Sequence, residues 1–376
     1  MIYKSFQDIN LSALGMGCMR LPVTEDGKTI DKDATRQMIA YAMEQGINYY
    51  DTAWGYHDGQ SELVMGEVLK EYPRDSFYLA TKFPGYDVNN MKNVAEIFEK
   101  QLEKCQTEYF DFYLCHCVSE SNIDMYLEPQ YGLYDYLMEQ KRNGRIRHLG
   151  FSAHASLETM KRFLDAYGEG MEFCMIQLNW FDWSFQNAEA KVKLIKSYNL
   201  PVWVMEPVRG GSLVSLETKH VDRLKSMRPN DSIPAWCFHF VQSIPEVVMT
   251  LSGMSNFEQL KENIETYNEV NPLNKSEMHE LLSIAGEMIA KNKLPCTKCN
   301  YCTTYCPKGL AIPNIIEIYN KHIDADDGCI KTAEIEGIDE SKRPTACIGC
   351  RACEVVCPQN IKISDMMADF SQKVSV

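Results

Sequence analysis

The sequence predicts an α/β protein, a TIM (β/α)8 barrel followed by a small unit organised by cysteines. Two observations carry this. Eight short β-rich runs alternate with helical patterns through the first part of the chain, and nine of the 15 cysteines crowd between Cys296 and Cys357. Strands alternating with helices point to βα units around a parallel sheet. Eight such units in roughly 270 residues match a barrel, whose usual size is about 250. A doubly wound open sheet is the competitor. Its glycine fingerprint is missing after the first strand, where Gly15-Met16-Gly17-Cys18-Met19-Arg20 lacks the third glycine.

Taken in order, the strand runs are Leu11–Gly17, Asn48–Asp51, Phe77–Lys82, Phe110–Cys115, Ile146–Ser152, Met175–Leu178, Pro201–Met205 and Val247–Leu251. Helices lie between them. Val94, Ile97, Phe98, Leu102 and Cys105 recur at helical spacing, as do Leu133, Tyr136 and Leu137. Past the eighth strand, Met278, Leu281, Leu282, Ala285 and Ile289 mark an amphipathic helix over Ser276–Lys291, with a boundary near Asn292 to Pro295. The expected division is therefore a barrel over 1–270, a linker helix over 271–294 and a cysteine-rich unit over 295–376. A further helix is expected over Ile315–Lys321, followed by an acidic loop at Asp324–Asp327.

Composition narrows the function classes. With 45% hydrophobic and 24% charged residues the chain is globular rather than disordered. Thirty-eight Lys and Arg against 52 Asp and Glu leave a net charge of −14, ill suited to gripping phosphate backbones, so no nucleic-acid partner is expected. No apolar run reaches the roughly 18 residues of a spanning helix, so no membrane is expected either. Met1 to Leu11 lack the basic-then-apolar layout of a secretory signal. Fifteen cysteines without such a signal read as thiols or metal ligands, and the expected location is cytoplasmic.

Barrel chemistry sits where strands finish. The strand ends give Asp51, Lys82, His116, Ser152 and Gln177, with Tyr56 on the loop past Asp51. The first four are spaced 31, 34 and 36 residues apart, each one βα unit, so they should converge on one mouth. Asp, Tyr, Lys and His together suit proton delivery. A phenol titrates near 10, and a neighbouring ammonium is expected to lower that value. Asp51 would keep Lys82 charged and in place, and His116 would hold a carbonyl oxygen beside Tyr56. Singly, a lysine at a strand end is commonly a solvated charge and a histidine commonly satisfies a loop. Four such groups at successive strand ends are hard to assemble by chance. Trp54, Tyr86 and Trp180 would either line an apolar pocket or pack internally.

Over Tyr3 to Glu269 the chain resembles the aldo-keto reductase superfamily. The motifs are Asp51-Thr52-Ala53-Trp54-Gly55-Tyr56, Ser61-Glu62 with Gly66, Thr81-Lys82, Leu114-Cys115-His116, Gly150-Phe151-Ser152, Gln177-Leu178-Asn179, Glu206-Pro207-Val208-Arg209-Gly210-Gly211, and Ser252-Gly253-Met254 through Glu262-Asn263. The resemblance implies Tyr56 as general acid, Asp51 and Lys82 as its tuning pair and His116 as the carbonyl-orienting group. It also implies that Ser152 and Gln177 hold a nicotinamide carboxamide and that the Pro207–Gly211 loop, with Arg209, follows the pyrophosphate. Gly17, Met19, Arg20, Asp51, Met205, Gln259 and Asn263 complete the cofactor wall it implies. There are departures. Met205 stands where many members stack an aromatic ring, and methionine offers no aromatic face. Gly253 and Gln259 replace the cations that grip a 2′-phosphate, so NADH and NADPH both stay open. Ala153 replaces an asparagine that often follows the serine.

The most specific signal lies in the tail. Cys296-x2-Cys299-x2-Cys302-x3-Cys306-Pro307 recurs as Cys347-x2-Cys350-x2-Cys353-x3-Cys357-Pro358. This is the run of a bacterial dicluster ferredoxin, in which the fourth cysteine of each run serves the other cluster. One [4Fe-4S] cluster is therefore assigned to Cys296, Cys299, Cys302 and Cys357, and the other to Cys347, Cys350, Cys353 and Cys306. Zinc is the alternative for any single CxxC pair, and the doubled pattern argues against it. Cys329 falls outside the pattern. From Pro295 onward 9 basic and 11 acidic side chains nearly cancel, so charge says little about docking.

The two halves pose a redox problem. A nicotinamide delivers two electrons as a hydride, each cluster passes one, and a flavin commonly mediates. The first reading is carbonyl–alcohol interconversion with NAD(P)H, coupled through the clusters to a ferredoxin-like or other redox partner. The alternatives are an electron-transfer protein whose barrel holds a flavin or a partner without carbonyl chemistry, and a reductase whose clusters are structural.

Overall fold

The computed structural model describes residues 1–291, 293–322, 330–331 and 334–375. Three features expected from the sequence, Asn292 at the boundary, the acidic Asp324–Asp327 stretch and Cys329, lie outside the described residues. The chain divides into two compact units. One is Met1–Val208 with Leu216–Leu282, and the other is Arg209–Ser215 with Ser283–Val376.

The first unit opens with an antiparallel hairpin, β1 (Tyr3–Phe6) and β2 (Ile9–Ser12), in which Tyr3 faces Ser12 and Phe6 faces Ile9. Eight parallel strands then close a barrel: β3 (Leu14–Gly17), β4 (Tyr49–Asp51), β5 (Tyr78–Phe83), β6 (Phe110–Val118), β7 (Ile146–Ala153), β8 (Phe173–Gln177), β9 (Val202–Met205) and β10 (Val247–Ser252). The barrel and its eight strands stand as expected, with one correction. The run Leu11–Gly17 is not a single strand. It breaks at Ala13, where the Ser12 hydroxyl donates to the Leu14 carbonyl and the chain passes from hairpin to barrel.

Alternate residues of the strands fill the interior. Phe6 and Leu11 of the hairpin join Tyr49, Ala80, Phe112, Leu114, Phe173, Met175, Trp203, Met249 and Leu251 in one buried cluster. The Phe6 ring meets Trp203 edge-on at 5.0 Å. Tyr49, Phe112, Phe173 and Trp203 lie early in their strands, so this packing seals the amino-terminal end and leaves chemistry to the opposite end.

The surrounding helices show ordinary amphipathic logic. The expected 94–105 pattern forms helix Val94–Lys104, burying Val94, Ile97, Phe98 and Leu102. Asp31, Ser156 and Asn256 cap the helices Lys32–Glu44, Leu157–Tyr167 and Phe257–Thr266 through their side-chain oxygens. Gly66 lets helix Ser61–Leu69 lie against helix Val94–Lys104, since a Cβ there would come within 2.3 Å of the Lys104 carbonyl. The amphipathic segment after the barrel forms helix Lys275–Ala290.

In the second unit, the helices Ile312–His322 and Ile363–Lys373 pack Ile312, Ile315, Ile316, Ile363, Met366, Met367 and Phe370 around Cys302 and Cys353. Among the described residues no helix is long and apolar enough to cross a membrane.

Candidate active site and cluster sites

Parallel pairing carries Asp51, at the end of β4, next to Ala80 of β5, and Lys82 follows two residues later on the same face. The Lys82 ammonium donates to Asp51 Oδ1 at 2.5 Å, to the Thr52 carbonyl at 2.8 Å and to the Tyr56 hydroxyl at 3.2 Å. Lys82 and Asp51 are both buried. Tyr56 as a whole is half-buried, with its ring edge-on to His116 at 6.0 Å. Asp51, Tyr56, Lys82 and His116 therefore meet at one barrel mouth.

The electrostatics set burial against the ammonium. Burial pushes the Tyr56 phenol up to about 12, and the Lys82 charge and hydrogen bond offset only part of that push. The ammonium lowers the phenol as expected, but removal from water outweighs it. Burial also works against the Lys82 charge, yet Asp51 and Tyr56 hold its pKa above the ordinary lysine value. Burial first, then Lys82 and His154, keep His116 well below the usual histidine range, so its ring is neutral. His116 Nδ1 and Asp51 Oδ2 are buried and have no hydrogen-bond partner among the described residues.

A polar network that sequence reasoning missed sits behind the quartet. Buried Glu62 accepts from Thr81 Oγ1 and Gln101 Nε2 at 2.7 Å each and from Lys104 Nζ at 2.8 Å. Gln101 Nε2 also donates to the Lys82 carbonyl at 3.0 Å, and Tyr113 holds Gln101 Oε1 at 2.5 Å. This fixes the end of β5. Glu62 and Thr81 had surfaced as motif residues, but nothing in the sequence joins them to Gln101 and Tyr113.

The β6–β7 register shifts between Cys115 and Val118, and Cys117 takes a left-handed φ of 58°. Such a bulge re-aims neighbouring side chains and is common beside active sites. Here the Cys117 amide donates to Ser152 Oγ at 2.8 Å and Tyr126 donates to the His116 carbonyl at 2.6 Å. The sequence gives no signal for this bulge.

Ser152 and Gln177 are buried on the neighbouring strands β7 and β8. Gln177 Nε2 donates to Asp182 Oδ2 at 2.6 Å, and Asn179 Nδ2 reaches the same oxygen at 2.7 Å. With its oxygen accepting from Cys117, the Ser152 hydroxyl still has a proton to give, which fits a carboxamide. Gly17 ends β3, with Met19 and Arg20 in the single turn Cys18–Arg20 that follows. The Arg20 side chain lies against Gly253, where an added Cβ would approach it to 3.2 Å, and its guanidinium is 3.9 Å from Glu206. Met205 closes β9 and Pro207 follows it. Gln259 accepts from the Ser255 amide at 2.8 Å, and buried Asn263 donates to Ser252 Oγ at 3.0 Å. Arg209 and Gly211 belong to the second unit. Trp180 is buried, with Nε1 on Cys237 Sγ at 3.2 Å, so it packs internally.

The second unit gathers its cysteines in two groups. Cys296, Cys299, Cys302 and Cys357 line one pocket. Cys306, Cys347, Cys350 and Cys353 line another. Among the described residues no three His, Cys, Asp or Glu side chains converge on a point suited to a single metal ion. Four cysteines lining each of two pockets fit the four-thiolate ligation of a cubane cluster. The two runs repeat one backbone. Left-handed φ recurs at Lys298 and Gly349, at Asn300 and Arg351, and at Gly309 and Asn360, at matching distances from their cysteines. The amides of Lys298 and Leu310 point at the sulfurs of Cys296 and Cys306, at 3.4 and 3.5 Å.

Comparison with known proteins agrees with both parts of the chain. The model of the Aldo/keto reductase family matches residues 13–285, and that of the 4Fe-4S dicluster domain matches 295–362. The chain is 28% identical over 213 residues to a probable aldo-keto reductase 1 of Glycine max, covering 54% of this chain and 58% of that protein. It is 24% identical over 308 residues to an NADH-specific methylglyoxal reductase of Escherichia coli, covering 69% and 91%. The holo form of aldo-keto reductase AKR11C1 from Bacillus halodurans superposes with a TM-score of 0.61 at 25% identity, covering 76% of this chain and 96% of that one.

Proposed function

The chain belongs to the aldo/keto reductase family and is an oxidoreductase, and from that premise we propose that it interconverts a small carbonyl compound and its alcohol with a nicotinamide dinucleotide, coupled to one-electron transfer through two [4Fe-4S] clusters. The observation that carries this reading is the single Lys82 ammonium shared by Asp51 and Tyr56.

When bound, a reduced nicotinamide supplies a hydride to the carbonyl carbon. The chain's own groups do the rest. Tyr56, protonated at neutral pH, gives its proton to the oxygen as negative charge builds there. Lys82 stabilises the phenolate left behind, and Asp51 holds the ammonium in place. Neutral His116 orients the carbonyl oxygen without competing as a proton donor of its own. Ser152 and Gln177 would hold the carboxamide, Gly17, Met19, Arg20, Met205 and Pro207 would line the remainder, and Gln259 and Asn263 would stand at the adenosine end. No cation comes from positions 253 or 259, which supports NADH over NADPH.

Tyr56→Phe removes the proton and little else. It should cut dinucleotide-dependent turnover at least a hundredfold, within the usual range for general acid catalysis of about 10²–10⁴, and leave cluster absorbance intact. Undiminished turnover would refute the assignment.

A second reading draws on Arg209, whose guanidinium donates to Pro295 and Gln359 rather than standing free for a pyrophosphate. In that reading the barrel holds a flavin, or docks a partner, and passes single electrons without carbonyl chemistry. Oxygen-free purification followed by identification of the released cofactor separates the two. Flavin released from a protein that gives no spectral response to NADH or NADPH would favour the second.

A further inference from the structure

Arg209 is the one buried arginine among the described residues, with 4% of its surface exposed. It is part of the second unit. Its Nη2 donates to the Pro295 carbonyl and to Gln359 Oε1, each at 3.2 Å. Pro295 is bonded directly to Cys296, and Gln359 stands two residues past Cys357. Gln359 also lines the cavity formed by Cys296, Cys299, Cys302 and Cys357. A fixed positive charge is therefore tied to both chain segments that deliver that quartet. The cations on the wall of the other cavity, Lys308 and Arg351, are solvent-exposed, where water and salt screen them.

A cubane ligated by four thiolates carries net negative charge, and an added electron makes it more negative. A buried cation nearby stabilises the reduced form more than the oxidised form, because low dielectric strengthens the attraction and the attraction grows with the cluster's charge. Groups just outside the ligands tune a metal centre in this way.

We propose that Arg209 is a tuning residue that raises the reduction potential of the cluster held by Cys296, Cys299, Cys302 and Cys357 and leaves the other cluster nearly unaffected. The proposal deepens the electron-transfer part of the proposed function and rests on it. The step concerned is the gain of one electron by the oxidised cluster, supplied in the test by dithionite.

The test is a potentiometric titration of the full chain, purified without oxygen and followed by electron paramagnetic resonance, with iron and sulfide counted in each preparation. The wild type should show two one-electron waves. In Arg209→Gln one wave should move to more negative potential, by about tenfold in the reduced-to-oxidised ratio at fixed potential, or ~59 mV for one electron. Arg209→Lys should bring it back most of the way. Gln359→Glu keeps the guanidinium and sets a carboxylate against it, so it should move the same wave in the same direction. That variant decides the matter if Arg209→Gln fails to hold its clusters. Two waves that stay in place, or that shift together, overturn the role of Arg209 alone. Fully loaded wild-type protein with no wave at all overturns electron transfer, and this proposal with it.

Discussion

The ammonium of Lys82 lies 3.2 Å from the Tyr56 hydroxyl and 4.7 Å from the centre of the Tyr56 ring. One cation thus meets both the acidic end and the π-face of the same side chain. Even so, burial holds the phenol near 12. The protonated phenol is therefore the dominant form near neutral pH, and the phenolate is scarce.

The two directions of reaction should consequently differ in pH dependence. Carbonyl reduction needs Tyr56 protonated and should stay level from pH 6.5 to 9. Alcohol oxidation needs the phenolate and should rise about tenfold per pH unit over that range, since the phenolate fraction does so well below its pKa. Measuring kcat/KM in both directions checks this. A reduction rate that falls off near pH 8 would mean the Lys82 charge outweighs burial after all.

Asp51 and Lys82 form a buried ion pair, each side chain no more than 3% exposed. Removing one member strands the other's charge. Lys82→Met should abolish turnover and destabilise the barrel by about 3–5 kcal/mol, as broken buried pairs do. The double variant Asp51→Leu with Lys82→Met should regain much of that stability while remaining inactive. Near-ultraviolet thermal melts read the stability, and a double variant no more stable than the single one would count against the account.

Much of this could be read in the sequence because the signals are local. Each barrel strand is a short β-rich run between turn residues, and five of the candidate side chains lie at or near strand ends, so Asp51, Lys82, His116, Ser152 and Gln177 could be placed by counting βα units. The grouping of the cysteines was legible for the same reason, since their spacing sets which of them share a pocket. What was illegible is non-local or depends on burial. The break at Ala13 hides in an apolar run because both sides of it are buried. The net shift of Tyr56 depends on packing that no motif encodes. Arg209 sits in a segment whose resemblance points to a pyrophosphate, yet its bonds reach partners 86 and 150 residues away. The bulge at Cys117 exists only in the register between β6 and β7.

Buried His116 and half-buried His154 should set an acid limit for the barrel. Burial, with Lys191 adding to it, lowers His154 to about 4, and His116 is also held well below its ordinary value. Each is neutral when folded and titrates near 6.5 when unfolded. Below pH 6.5 the unfolded chain therefore binds protons that the folded chain refuses. Stability should be full above pH 6.5 and fall as pH drops, by up to ~1.4 kcal/mol per unit for each histidine, with the His154 contribution levelling off near pH 4. His154→Gln should flatten that slope in melts from pH 7.5 to 5. An unchanged slope would show that other groups set the acid limit.

The crossed cysteine quartets yield a prediction that an uncrossed arrangement reverses. Cys357 closes the second run in sequence, yet it lines the same cavity as Cys296, Cys299 and Cys302. Cys306 closes the first run and lines the cavity of Cys347, Cys350 and Cys353. Serine is a harder and poorer ligand than thiolate for iron–sulfur clusters, so each substitution should weaken the cluster it serves. In Cys357→Ser combined with Cys299→Ala, both changes fall on one cluster, and the other should stay whole with close to half the wild-type iron. In Cys357→Ser combined with Cys350→Ala the damage falls on both clusters, and iron should drop well below half. The uncrossed arrangement exchanges these outcomes, so iron and sulfide counts on the two double variants decide between them.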